Sequence, residues 1–311
     1  MNMNEILTIA FMMLFVPVLG LFFMGLERKI TARIHNRIGP PVYQQFVDVM
    51  KLFSKRENIS HSWVFDIGPI FAVVGVLATM LFIPMGGFPM LSFHGDLIVI
   101  MYLMVISGLG MALGAGASGN PNAGIGVMRS LVLMMAYELP FVLTLLSVML
   151  YYNTTSLGEI VAKQGETGWG ILALPLSALV ADLCLQGQFG EKPFDQPVAP
   201  HEVATGPMVE YGGKHLGMLF LWHAIAVVME GSLFVSLFLG GAIFFDPSTI
   251  TGMVLNLLLW IVLVFMMFFI AILINGVMLR FRIGQAFAFY WKWPTVLAII
   301  ALAYVMVVSA W

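Results

Sequence analysis

Four ionisable residues stand inside long apolar runs of this chain: Glu138, Asp182, His223 and Glu230. Charge at such depth is costly unless it faces a polar cavity or a partner. Glu138 lies in Tyr-Glu-Leu-Pro, and Pro140 removes a backbone donor and frees a carbonyl nearby. Asp182 has Gln186 four residues along the same helical face, with Gln188 beyond. His223 and Glu230 are seven apart, which on a helix is two turns and about 10 Å along the axis. A chain of waters can bridge that gap, whereas a direct bond cannot. Carboxyl and imidazole groups withdrawn from bulk water can hold and pass protons near neutral pH. The blander reading makes each a satisfied polar contact between helices. Three acids and a histidine on three separate runs favour a polar path. No nucleophile–base triad, phosphate loop or nucleic-acid surface is visible. A single cysteine, Cys184, excludes an intrachain disulfide and a cysteine-ligated cluster, and the six histidines form no H-x-x-x-H pair. Metal binding by this chain alone is not expected.

These residues need elements to hold them, and composition says which. Sixty per cent of the 311 residues are hydrophobic and ten per cent charged, against about 25% charged in water-soluble domains. Lipid must therefore cover much of the surface. Eight runs are long enough to cross a bilayer, which takes about 20 apolar residues each: 6–26, 67–88, 97–117, 130–151, 169–189, 215–242, 251–276 and 294–311. The opening MNMNE lacks a basic leader, so the first run is expected to stay as a membrane helix. An all-α polytopic membrane domain spanning 1–311 follows, with no internal repeat, low-complexity tract or soluble domain.

Lys and Arg divide unequally among the connections. The odd-numbered ones hold thirteen: seven in 27–66, Arg129, Lys192 and Lys214, then Arg280, Arg282 and Lys292. The even ones hold Lys163 alone. Positive charge marks the cytoplasmic side, so both termini are expected outside and loops 27–66 and 190–214 inside. In 28–38, Ile30, Ile34 and Ile38 recur every fourth residue, as do Lys29, Arg33 and Arg37. These are adjacent columns of a helix that continues the first span and carries a basic stripe. Gly39-Pro40-Pro41 stops it. A second helix is expected from Gln44 to Lys55, with Phe46, Val49, Met50 and Phe53 on an apolar arc and Asp48, Lys51 and Lys55 opposite. This much order exceeds what topology alone requires and points to a docking surface.

The motifs resemble the membrane subunit of respiratory complex I that anchors the redox arm, and its counterparts in energy-converting hydrogenases and the related sulfane sulfur reductase. They run in order along most of the chain: E-R-K-x-x-x-R-x-x-x-R-x-G-P from Glu27 to Pro40, Arg129 with Tyr137-Glu138, Pro-Phe-Asp at 193–195, then Glu202, Gly206, Glu210-Tyr211-x-Gly213, and LFLGG at 237–241. The short spacing in GPPVYQQFVDVMKLF is similar to the hydrogenase branch. Gln188, Glu191, Val198 and Pro200 depart from the complex I loop pattern, and His223 falls where that family often has a glutamate.

The resemblance implies a non-catalytic anchor and coupling subunit in a prokaryotic cell membrane. It would link electron transfer from ferredoxin to H+ or Na+ translocation. Its partners would be a hydrogenase-like large subunit, iron–sulfur subunits and antiporter-like membrane subunits, besides the bilayer, and no nucleic acid. Iron–sulfur clusters, and in the hydrogenase branch a nickel–iron centre, would sit in those partners, with none bound by this chain. The coupling path would use Glu138, Asp182, His223, Glu230, Glu202 and Glu210. Docking would use Arg28, Lys29, Arg33, Arg37, Asp48, Lys51, Arg129, Glu191 and Asp195. Two alternatives are a quinone-binding subunit of complex I proper and a stand-alone carrier; the absent inverted repeat weighs against the carrier.

Overall fold

The computed structural model describes residues 3–56, 61–88, 91–246 and 249–309. Residues 57–60 of the first basic loop and 310–311 of the last expected span lie outside them. The elements are α1 (Met3–Ile34), α2 (Gln44–Ser54), α3 (Trp63–Met80), α4 (Asp96–Gly116), α5 (Pro121–Tyr152), α6 (Leu157–Thr167), α7 (Gly170–Ala173) and α8 (Pro175–Phe189). After these come α9 (Pro200–Val203), α10 (Gly213–Phe238), α11 (Ile250–Val277), α12 (Ile283–Lys292) and α13 (Pro294–Ser309). Among the described residues, seven helical segments are long and apolar enough to cross a bilayer: α1, α3, α4, α5, α10, α11 and the joined run Ile283–Val308.

The fifth expected span, 169–189, differs from a full crossing. Leu174-Pro175 breaks it into α7 and the 15-residue α8, because proline starts a helix readily but cannot sit within its ladder. The connection 277–293, expected as a loop, contains the amphipathic α12. Helix α6 was not anticipated.

Helix α10 is the axis of the bundle. Every residue from Ala224 to Phe238 is buried, as befits a helix that is apolar on all sides. It touches α1, α2, α3, α6, α8 and α11. Close approach is made by small residues, as in membrane helix pairs generally. A Cβ on Gly20 of α1 would run into the Ala224 carbonyl oxygen, and one on Gly231 would sit 2.9 Å from a Val264 methyl of α11. At one end, the carboxamide of Gln164 donates to the Ser236 and Leu237 carbonyls and accepts from the Gly170 and Gly240 amides. That single side chain stops α10 against α6 and α7.

Substituting Gly20 by Val forces α1 off the α10 backbone. Overpacking of this kind costs about 1–3 kcal/mol, so Gly20→Val should lower the thermal unfolding midpoint of the detergent-solubilised protein. An unchanged midpoint would show that the two helices can separate freely.

Candidate functional site

The basic segments converge at the other end of the bundle. Helix α1 continues past the membrane run to Ile34, as its stripe implied, and α2 folds back beside it. Arg28 donates to Asp48 at 3.0 Å and to Gln45 at 3.2 Å, while Gln44 donates to Asp48 at 2.9 Å. The Gln44 hydrogen bond, followed by Arg28, holds the Asp48 carboxyl below its ordinary range. The apolar arc of α2 is turned from its expected setting: Val49 faces inward, while Met50 is 73% exposed. Lys29, Arg33, Arg37 and Lys51 are exposed.

The 190–203 segment lies across this end and is tied from three sides. Arg280, between α11 and α12, grips Asp195 through two hydrogen bonds of 2.6 Å and lies 3.6 Å from Glu202. Arg129 of α5 meets Glu202 at 2.6 Å. The four groups alternate in sign, Asp195–Arg280–Glu202–Arg129. The Arg129 hydrogen bond keeps the Glu202 carboxyl below its ordinary range. Below them, Asn275 of α11 donates to both Glu191 and Glu27. Loss of solvent pushes Glu191 well above the usual carboxylate range, and Glu27 and Asp195 push it the same way. Phe194 then packs on Tyr290 at 4.8 Å between ring centres. Glu210 takes another role: it accepts from Asn120 at the start of α5 and sits 3.6 Å from His61. Tyr211 stacks on Phe65 at 4.2 Å and donates to its carbonyl.

Beneath the strapped segment lies a cavity of about 410 Å³ between α4, α5, α10 and residues 187–200. Glu138, His223 and Glu230 all line it, together with Tyr137, Gln188, Glu191 and Asp195. Its remaining wall is largely apolar, with Met101, Met104 and Met111 on α4, and no Lys or Arg among its lining. Glu230 is 9% exposed, and its Oε2 has no hydrogen-bond partner among the described residues. On the α4 side, Trp222 donates to Ser107 at 2.7 Å, and Ser107 donates to the Ala72 carbonyl at 2.9 Å. Asp182, Glu202 and Glu210 do not line the cavity.

Three ties escaped the sequence reading: Arg280, Asn275 and the inward-facing Glu27. Asn275 carried a usable signal, being a lone carboxamide near the end of an apolar run, where membrane helices use such groups to bond across. Among the described residues, no group of three or more His, Cys, Asp or Glu is placed to hold a metal ion, and Cys184 is buried.

An all-helical polytopic protein with an ion-paired basic end above an internal acidic cavity belongs to the membrane subunits of respiratory complexes. The chain belongs to the NADH dehydrogenase family, as a membrane subunit of the complex I type, and matches that family over residues 6–306. It is similar to the corresponding membrane subunit of the NADH-quinone oxidoreductase of Syntrophotalea carbinolica, with 29% identity over 316 residues, 95% of this chain and 92% of that one. It is also similar to a chain in the structure of the membrane-bound sulfane sulfur reductase, an archaeal respiratory membrane complex. That match has a TM-score of 0.89 at 42% identity and covers 97% of this chain and 100% of the other.

Two outcomes follow from the loop. Arg280→Met leaves the Asp195 carboxylate without its fork, at a cost on the order of 3 kcal/mol; proteolysis of segment 190–203 should accelerate accordingly, and an unaltered digestion rate would count against the strap. For Glu191, the folded-state pKa lies above the unfolded one. Stability tied to its proton is therefore complete below the ordinary value of 4.5 and is lost as pH rises through the elevated one. Glu191→Gln should flatten that decline and melt higher than the parent at alkaline pH; parallel melting curves across pH would refute it.

Proposed function

We propose that this chain is the membrane anchor and coupling subunit of a complex I-related respiratory complex of the sulfane sulfur reductase or membrane-bound hydrogenase type. It docks the cytoplasmic iron–sulfur module and links electron transfer from ferredoxin to H+ or Na+ translocation. The observation that carries this reading is the shared cavity: Glu138 of α5 and His223 and Glu230 of α10 line one space directly beneath the strapped segment. A change in charge or position at the loop is felt at the mouth of a row of proton-holding groups that reaches into the membrane. Similarity to the sulfane sulfur reductase chain supports the branch, as does the short Gly39-to-Phe53 spacing.

The end bearing loops 27–66 and 190–214 is the cytoplasmic one, with both termini on the opposite side, because thirteen of the fourteen Lys and Arg belong to it. Docking contacts come from the exposed Lys29, Arg33, Arg37 and Lys51. Arg28, Asp48, Arg129, Glu191 and Asp195 serve docking by keeping the loops in shape, since their partners lie within this chain. The redox module, a hydrogenase-like large subunit with iron–sulfur subunits, holds the clusters and any nickel–iron centre, and antiporter-like subunits complete the membrane arm. The chain itself is non-catalytic.

The cavity also favours a second reading, a quinone-binding subunit, because it is largely apolar and lies beside residues 190–200. Arg37 does not line it, and Gln188, Val198 and Pro200 replace the acids of the complex I loop. A photoreactive quinone analogue that labels α4 or α10 in native membranes would establish that reading in place of the first.

In membrane vesicles carrying the assembled complex, Glu138→Gln should leave ferredoxin oxidation largely intact and abolish the coupled ion gradient. Full retention of pumping would overturn the role given to Glu138.

A further inference from the structure

One ionisable residue of the membrane region is turned away from the cavity. Asp182 lies at the middle of α8, seven residues from Pro175 and seven from Phe189. The outward stripe of α8 runs through Pro175, Leu179 and Asp182, at spacings of four and three that keep one helical face. Leu172 on α7 extends it. Leu172 is 81% and Leu179 50% exposed, while Asp182 is half-buried at the stripe's inner edge. The opposite side of α8 is occupied by α5, α10, α11 and α13. Asp182 Oδ1 has no hydrogen-bond partner among the described residues, nor does Nε2 of Gln186, one turn further along and 4% exposed.

An aliphatic stripe that ends in a carboxyl at mid-helix is poorly matched to lipid. Hydrocarbon offers neither a donor nor a counter-charge, whereas a helix from another chain can offer both. We propose that the α7–α8 face receives a transmembrane helix of a second subunit, one that presents a cationic or hydrogen-bond-donating side chain to Asp182. The leucines form the packing surface, and the carboxyl fixes the register of the incoming helix. The surface is charge-complementary to a Lys, Arg or His, and Gln186 offers the same helix a donor. This rests on the chain working within an assembly, but it concerns a different face from the docking end and the cavity.

The test uses the whole complex in native membranes, with a photo-crosslinking side chain at Leu179, which is exposed enough to tolerate it. The expected product is an adduct with a membrane-spanning peptide of another subunit, within two turns of a Lys, Arg, His, Asn or Gln. Asp182→Leu should reduce its yield at least fivefold, and Asp182→Asn should reduce it less. Adducts with lipid alone, a peptide lacking such a residue, or a yield indifferent to Asp182→Leu would each overturn the proposal. Ferredoxin oxidation and the Glu138→Gln phenotype are scored separately, so failure here is distinguishable from failure of the coupling role.

Discussion

The structure depends on enclosing a carboxyl group within a helix that has no free side. Helix α10 is buried from Ala224 to Phe238, and Glu230 stands inside that stretch. Such a group is tolerated only where space and polar company are kept for it. The bundle meets this requirement asymmetrically. Where α1 and α11 cross α10, Gly20 and Gly231 remove the side chains and the contact is tight. Toward α4 and α5 the packing opens into the cavity that Glu230 shares with Glu138 and His223. Tight crossings on one side are what allow an opening on the other without loss of the helix's position.

The same logic runs through the loop above. Charges at its surface neutralise one another in sequence from Asp195 to Arg129, while the carboxyls beneath it, Glu191 and Glu27, share a neutral amide from Asn275. Ion pairs near water are individually weak, but a network converging on one segment restrains its position over the cavity mouth. The segment is thereby both roof and sensor, since Asp195 and Glu191 line the cavity and Asp195 also holds the outer arginine.

Much of this architecture is legible in the residues. Hydrophobic run length located the spans, because the bilayer imposes a length that few other constraints imitate. The four-residue spacing of Lys29, Arg33 and Arg37 disclosed the extension of α1, and Gly39-Pro40-Pro41 its end. The shared cavity of Glu138, His223 and Glu230 was accessible only as an inference from depth: nothing in one dimension says which helices are neighbours. That is why Asp182, chemically alike, was grouped with them although it faces elsewhere. The Arg280–Asp195 fork joins residues 85 apart, and such pairings depend on tertiary proximity that a local pattern does not encode. The break at Leu174-Pro175 was readable from proline chemistry, yet the continuous apolar run hid it.

That break has a consequence for the surrounding bilayer. A helix of 15 residues is about 22 Å long, against a hydrocarbon layer of about 30 Å, and α7 adds a single turn. Lipid beside α7–α8 must thin to match it, and such mismatch carries an elastic penalty that accumulates with each ångström. Covering a short wall with protein relieves the deformation, so the membrane itself directs association toward this side of the bundle.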